Sequence, residues 1–452
     1  MMKDAGQKEL LYRHFRARGW YALTEVPVYN RGGAFGSKYL ITDIDVFALR
    51  PSPDLRWQAV IGDCKTKKGE SPANRVLWAR SLMDQFGAAS GIVLLHRDPK
   101  KAIEPDHKLF AQKLGIALIE EPDFELYDRA MLYPSGSKTF PESAARLQAI
   151  RMGICERFPK LGLLSEYINA RAWNEPDHFM LLRNSVGNAL KVRNEIDPAR
   201  HDHLALVLEA AGVFAVALAT CVGIVFHQHL QTNERLALDG ALKTLIWGGR
   251  EQYDYISGMW ARIIEAKGGT EENKDVSLPA WSTFLQLVRS HTDAPHFSFQ
   301  IPQLLRIAAL DVMESRPFLA SLISPDPMLM KLGMLTVSYF IDACRFPSDT
   351  KARVRDLFGR RIASVAVGAP PESALLPSRA PADTAATRTS SPEVEVNATP
   401  SNRTPANSRE GVTNLATVLI GDRSDAVSGL SSGPISSAKD ALPAPETPAR
   451  NR

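Results

Sequence analysis

The chain has 452 residues, 44% of them hydrophobic and 8% aromatic, and its 54 Lys and Arg against 50 Asp and Glu leave a net charge of +4. That apolar content excludes a wholly disordered chain, and the length leaves room for two or three domains. Four isolated cysteines, Cys64, Cys155, Cys221 and Cys344, exclude a disulfide framework; with no signal-like apolar run at the N-terminus, a reducing, cytoplasmic location is expected.

Asp4 followed three residues later by Gln7 predicts a capping box, opening a helix through about Arg18 with Leu11 and Phe15 on one face and Gly19 as its stop. Trp20 to Val28 reads as a first strand ended near Pro27, and the glycine-rich run Arg31 to Ser37 leads into a second, Tyr39 to Leu49, which carries Asp43 and Asp45. A third strand, Trp57 to Lys65, ends in Asp63-Cys64-Lys65. Ser71-Pro72 then predicts an N-cap with proline at the first helical position, ahead of an apolar stripe at Val76, Ala79, Leu82, Met83 and Phe86. Gly91 to Leu95 is a continuous apolar run, the pattern of a strand buried on both faces. A short helix from Asp106 to Leu114 and a strand from Ile116 to Ile119 finish the unit, in the order α-β-β-β-α-β, then α-β.

The carboxylates give this unit its chemistry. Side chains alternate faces along a strand, so Asp43 and Asp45 share one face, as do Asp63 and Lys65. If the two strands pair as a hairpin, these groups converge, and carboxylate oxygens are the donors that Mg²⁺ prefers. A cation so held polarises a phosphodiester and lowers the pKa of its water, while a nearby lysine steadies developing charge. Acid-x-Lys tripeptides also occur at Asp106-His-Lys108, Glu265-Ala-Lys267 and Glu272-Asn-Lys274, in helical or loop contexts; Asp63-Cys-Lys65 differs by ending an apolar strand 18 residues after Asp45. Glu25, on the first strand, is a further candidate ligand whose strand parity leaves its direction open.

On Asp45-Val-Phe-Ala, Asp63-Cys-Lys65 and the order of elements, residues 1–120 resemble the PD-(D/E)XK, or restriction-endonuclease-like, nucleases, in particular the branch of Mrr-type restriction enzymes and archaeal Holliday junction resolvases. The resemblance implies an α/β restriction-endonuclease-like core. In it Asp45 is the first acidic metal ligand, Asp63 the second, Lys65 the catalytic lysine, and Glu9 the helical glutamate of the resolvase branch. It implies Mg²⁺ as cofactor, with Mn²⁺ as a substitute. The metal is expected on Asp45, Asp63 and the Cys64 backbone carbonyl, with Asp43 or Glu25 as a further ligand. The chain departs from the family in three places: its second acid is Asp where Glu is commoner, no proline precedes Asp45, and no Gln-x-x-x-Tyr follows Gln85.

Charge agrees with a nucleic-acid partner. Residues 1–120 hold 19 Lys and Arg against 13 Asp and Glu, net +6. Arg31, Lys67, Lys68, Arg75 and Arg80 are the candidates for phosphate contacts, which would make binding salt-dependent.

The remaining sequence changes character. A linker at 123–143 is expected to lead into an all-α domain at 144–360, with apolar-periodic stretches at Ser165 to Ile196, Asp202 to Leu230, Gly240 to Ile264, Trp281 to Arg289, Ile301 to Met313 and Met328 to Cys344. Residues 361–452 form an expected disordered tail rich in Pro, Ser, Ala and Thr, since no Phe, Trp or Tyr occurs in the 94 residues after Phe358. Leu204 to Phe226 is long enough to span a bilayer at about 35 Å. Glu209 and a charge-free stretch of only 17 residues favour a close-packed core helix over a membrane span. His201-Asp-His203 and His227-Gln-His229 flank that segment and lie too far apart to share a zinc ion. No Walker loop or internal repeat is present, so nothing suggests ATP-driven translocation. The expected activity is that of a metal-dependent endonuclease acting on DNA ahead of RNA, in restriction, defence or repair. Cutting both strands of a duplex would call for a homodimer. The alternative is an inactive nuclease fold that serves as a nucleic-acid-binding or assembly module.

Overall fold

The structure is a computed structural model that describes residues 4–29, 39–65, 71–96, 102–130, 144–175, 178–228, 235–266, 276–314 and 326–366. All of them lie in one compact unit, Met1–Leu376. The expected contacts of Arg31, Lys67 and Lys68, and the expected tail beyond residue 366, fall outside the described residues.

Helix α1 (Ala5–Ala17) precedes a five-stranded mixed sheet of β1 (Tyr21–Tyr29), β2 (Leu40–Pro51), β3 (Trp57–Lys65), β4 (Ser90–Leu95) and β5 (Ile116–Glu120), in that spatial order. The first three strands form an antiparallel meander. β3, β4 and β5 run parallel because α2 (Pro72–Phe86) and α3 (Pro105–Lys113) each carry the chain back across the sheet. The predicted strands and helices of this unit are all present.

Two predicted caps do not form. Asp4 sits in the left-handed region with no side-chain bond to the helix, and Gln7, buried on the inner face of α1, instead donates to Glu121 Oε2 at 3.1 Å. Ser71 makes no side-chain cap bond either, although Pro72 does take the first turn of α2. In the stretch expected to be a linker, Phe124–Ala130 is a helix, α4, whose Phe124 is buried.

The sheet is covered on both faces. Leu11, Tyr12 and Phe15 of α1, with Phe124, pack on Ala22, Val46, Ala48, Val60, Cys64, Ile92 and Leu94. The other face, with Tyr21, Leu23, Phe47, Leu49, Ile61 and Val93, packs on α2 and on the helical region. That region comprises α5 (Ala144–Arg157), α6 (Gly162–Glu166), a π turn at Tyr167–Arg171, α7 (His178–Val192), α8 (His201–Gln228), α9 (Arg235–Ile246), α10 (Arg250–Ala266), α11 (Trp281–Thr292), α12 (Pro295–Ser298), α13 (Ile301–Glu314), α14 (Pro327–Ala343) and α15 (Ser348–Ala366). The apolar-periodic stretch from Gly240 to Ile264 is divided between two helices by Gly248 and Gly249, at φ +83° and +112°, values that only glycine adopts without strain. The Ser165 to Ile196 stretch is likewise broken, between the π turn and α7.

The long apolar helix α8 lies in the core, where 94% of its most apolar window is buried by the rest of the protein. It packs beneath the β2–β3 turn: Trp57 Nε1 donates to the Val216 carbonyl at 3.1 Å, and a Cβ on Gly223 would collide with the Leu55 carbonyl oxygen. His227 Nε2 donates to the Asp54 carbonyl at 2.8 Å, while His203 Nδ1 accepts from the Asp197 amide at 3.0 Å, so each histidine serves a local turn. The edge strand β1 is closed by Asn174, which accepts from the Tyr29 amide and donates to the Pro27 carbonyl.

Candidate metal centre

The site arises at an irregularity shared by two strands. On β1, Tyr21 and Leu23 face the helical region; two residues further the alternation breaks, and Val26 and Val28 face it instead. On β2 the same break separates Phe47 and Leu49 from Ile44. The register runs Thr24 opposite Val46 and Val26 opposite Ile44, which places Glu25 across from Asp45 at the break. Glu25 holds a left-handed backbone, φ +55°, uncommon outside glycine and characteristic of bulges and functional turns.

Glu25, Asp43 and Asp45 converge there, each offering a carboxylate oxygen within 4.8 Å of the others; among the described residues no other such acidic group occurs. The expected pairing of Asp43 with Asp45 is therefore present, and Glu25 joins it.

A lysine that the motif does not contain completes this cluster. Lys8 Nζ lies 2.7 Å from Asp45 Oδ1 and bonds to Glu25 Oε1, and its side chain is only 2% exposed. Burial alone would lower its pKa, but the Asp45 and Glu25 charges and bonds outweigh that and hold the ammonium protonated. Asp45 also accepts from the Cys64 backbone N–H at 2.7 Å. Burial raises the Asp45 and Glu25 carboxyl pKa values, against the pull of Lys8.

The motif residues on β3 lie beside this cluster. Cys64 packs on the α1 side, so strand alternation turns Asp63 and Lys65 toward α2. Asp63 is buried and held two-pronged by Arg75 of α2, with Nε to Oδ2 at 2.9 Å and Nη2 to Oδ1. Asp45 is close enough for its charge to push the Asp63 carboxyl upward. The structure thus brings Asp45, Asp43 and Glu25 into one group and sets Asp63 apart with Arg75.

The other expected residues serve local contacts. Glu9 accepts from Arg13 one turn on, at 2.5 Å, rather than joining the cluster. Arg80 donates to the Leu114 carbonyl at the end of α3 and pairs with Asp84, and Arg75 is engaged with Asp63. Sequence reasoning missed Lys8, yet the signal was there: it lies three and seven residues before Leu11 and Phe15, on the buried stripe of α1, where a lysine requires an acidic partner.

Burial pushes the Asp63 carboxyl up to about 7, the Arg75 charge opposing and the Asp45 charge adding. A folded pKa above the unfolded value means the folded state binds the extra proton, so this contribution to stability is present at low pH and lost as pH rises through about 7. Asp63→Asn cannot ionise; its melting temperature relative to wild type should rise between about pH 4 and about pH 7 and level off above that. A difference that stays flat over that range would show that Arg75 keeps Asp63 ionised throughout.

Comparisons of the chain with family models, with curated proteins and with solved structures return no match.

Proposed function

We propose that the chain is a metal-dependent endonuclease that hydrolyses phosphodiester bonds, with DNA ahead of RNA as its substrate and restriction, defence or repair as its setting. The observation that carries this reading is the convergence of Glu25, Asp43 and Asp45 at a shared strand break, directly beside the strand that ends in Asp63-Cys64-Lys65. Hard carboxylate oxygens are the donor set that Mg²⁺ and Mn²⁺ take, so the residues fit such an ion, held by Asp45 with Glu25 or Asp43 and with Asp63 as the neighbouring acid. A bound divalent cation would supply Lewis acidity and a water of lowered pKa. The chain's own groups do the rest: the clustered acids orient that cation, and Lys65 offers an ammonium to charge developing on the phosphate. Mg²⁺ loading, substrate class and any homodimer belong to this proposal.

A second reading has an observation of its own. Lys8, which is buried, is bonded to Asp45 and Glu25, and the half-buried Arg75 to Asp63, so cations of the chain itself already neutralise three acids of the site. This favours an inactive nuclease fold used to bind nucleic acid.

One experiment separates the two. Wild type, Asp63→Ala and Lys65→Ala are incubated with supercoiled, linear and single-stranded DNA and with RNA, in Mg²⁺, Mn²⁺ or EDTA. The nuclease reading expects metal-dependent cleavage by wild type that both variants lose. Absence of cleavage on every substrate, with salt-sensitive binding retained by all three proteins, would leave the binding module.

A further inference from the structure

We propose that Lys8 is the resident cation of the carboxylate cluster, occupying the position between Glu25 and Asp45 that a divalent metal would take, so that metal loads only when Lys8 leaves. The inference rests on the reading of the cluster as a metal site and adds the device that regulates it.

Geometry carries the argument. Both Asp45 oxygens are engaged, Oδ1 by the Lys8 ammonium at 2.7 Å and Oδ2 by the Cys64 N–H at 2.7 Å, while Glu25 gives an oxygen to the same ammonium. Only Asp43, which is exposed, lies outside these bonds within the cluster. A divalent ion on Glu25 and Asp45 would sit against the ammonium in a half-buried setting, where like charges are less screened than in water. The lysine stem runs along the buried face of α1, so the ammonium is delivered by the core of the fold rather than by a flexible surface chain. An ion that can bind only the fraction of molecules with Lys8 undocked shows an affinity reduced by that fraction. If Lys8 is docked in nine molecules of ten or more, removing its charge strengthens metal binding about tenfold or more.

The test is Mn²⁺ binding to the full chain, followed by calorimetry and by electron paramagnetic resonance of the free ion, with no substrate present. Lys8→Met keeps the apolar stem and deletes the charge. It is expected to bind Mn²⁺ at least about tenfold more tightly than wild type. Adding Asp45→Asn to Lys8→Met should abolish that gain, and Lys8→Arg, which keeps the charge, should show none. If Lys8→Met folds poorly on its own, Mn²⁺ should restore its circular dichroism and melting transition; failure of millimolar Mn²⁺ to do so would overturn the proposal. Equal Mn²⁺ affinity in wild type and Lys8→Met would overturn it too while leaving the metal reading intact. No Mn²⁺ binding by either protein would remove the metal reading together with this one.

Discussion

Glu209→Ala is expected to destabilise the protein by about 3–5 kcal/mol, the cost of removing one partner from a buried ion pair. Glu209 lies in the first third of α8, is 3% exposed, and accepts from Arg151 Nη2 at 2.7 Å and Nε at 3.3 Å. The carboxylate is worth more than one pair. Burial would raise its pKa, but the charges of Arg151, Arg306 and Arg16 together hold it below the usual carboxylate range. Arg306 is 1% exposed, lies over the Tyr21 ring at 5.2 Å, and depends on Glu209 for part of its compensation. Removing Glu209 leaves at least two guanidinium groups in the core short of negative charge, where desolvation penalties are largest. Urea denaturation should show a lower midpoint at an unchanged slope. Arg151→Met placed on Glu209→Ala should cost less than the sum of the two single losses, because it removes a charge that the first change left unpaired. A loss below about 1 kcal/mol for Glu209→Ala would mean that water enters the core at this point. The same experiment bears on α8 itself: a helix crossing a bilayer gains by losing an acid, whereas this core helix is expected to lose by it.

Asp45→Asn is expected to reduce metal-dependent cleavage by more than about 100-fold, since even the outer partners of metal ligands are worth roughly 10- to 100-fold. Asparagine keeps the shape of the side chain and an oxygen to accept the Cys64 N–H, and Lys8 retains Glu25, so the fold should survive. The loss therefore falls on charge at the centre of the cluster and not on packing. A lowered but still cooperative melting transition with abolished cleavage, at any Mg²⁺ concentration, is the expected pair of results. Cleavage at the wild-type rate by Asp45→Asn would place the chemistry elsewhere or in a contaminant.

Legibility differed sharply between the two parts of the site. The strand carrying Asp43 and Asp45, the strand ending in Asp63-Cys64-Lys65, and the α-β-β-β-α-β order were readable because period-two and helical patterns are local properties of the chain. Glu25 was undecided because its direction depends on a left-handed residue that no alternation pattern announces. Lys8 was passed over in favour of Glu9, although its place on the apolar stripe of α1 pointed inward; Glu9, one residue on, turns toward Arg13. Arg75 read as a phosphate contact, because its partner Asp63 lies on a neighbouring strand and only the packing of α2 on β3 brings the two together.

By itself, then, the sequence determined the α/β unit, its acids and the helical character of the region from α5 onward, since each is written in the spacing of apolar and polar residues. It also carried the warning in α8, a single glutamate in an apolar run. Tertiary structure decided which charges meet: that Asp45 shares Lys8 with Glu25, that Asp63 turns to Arg75, and that Glu209 finds Arg151. The physical reason is the same in each case. A charge leaves water only where an opposite charge or a donor is waiting, and those partners are 12 to 58 residues away in the chain, joined by packing that no local pattern records.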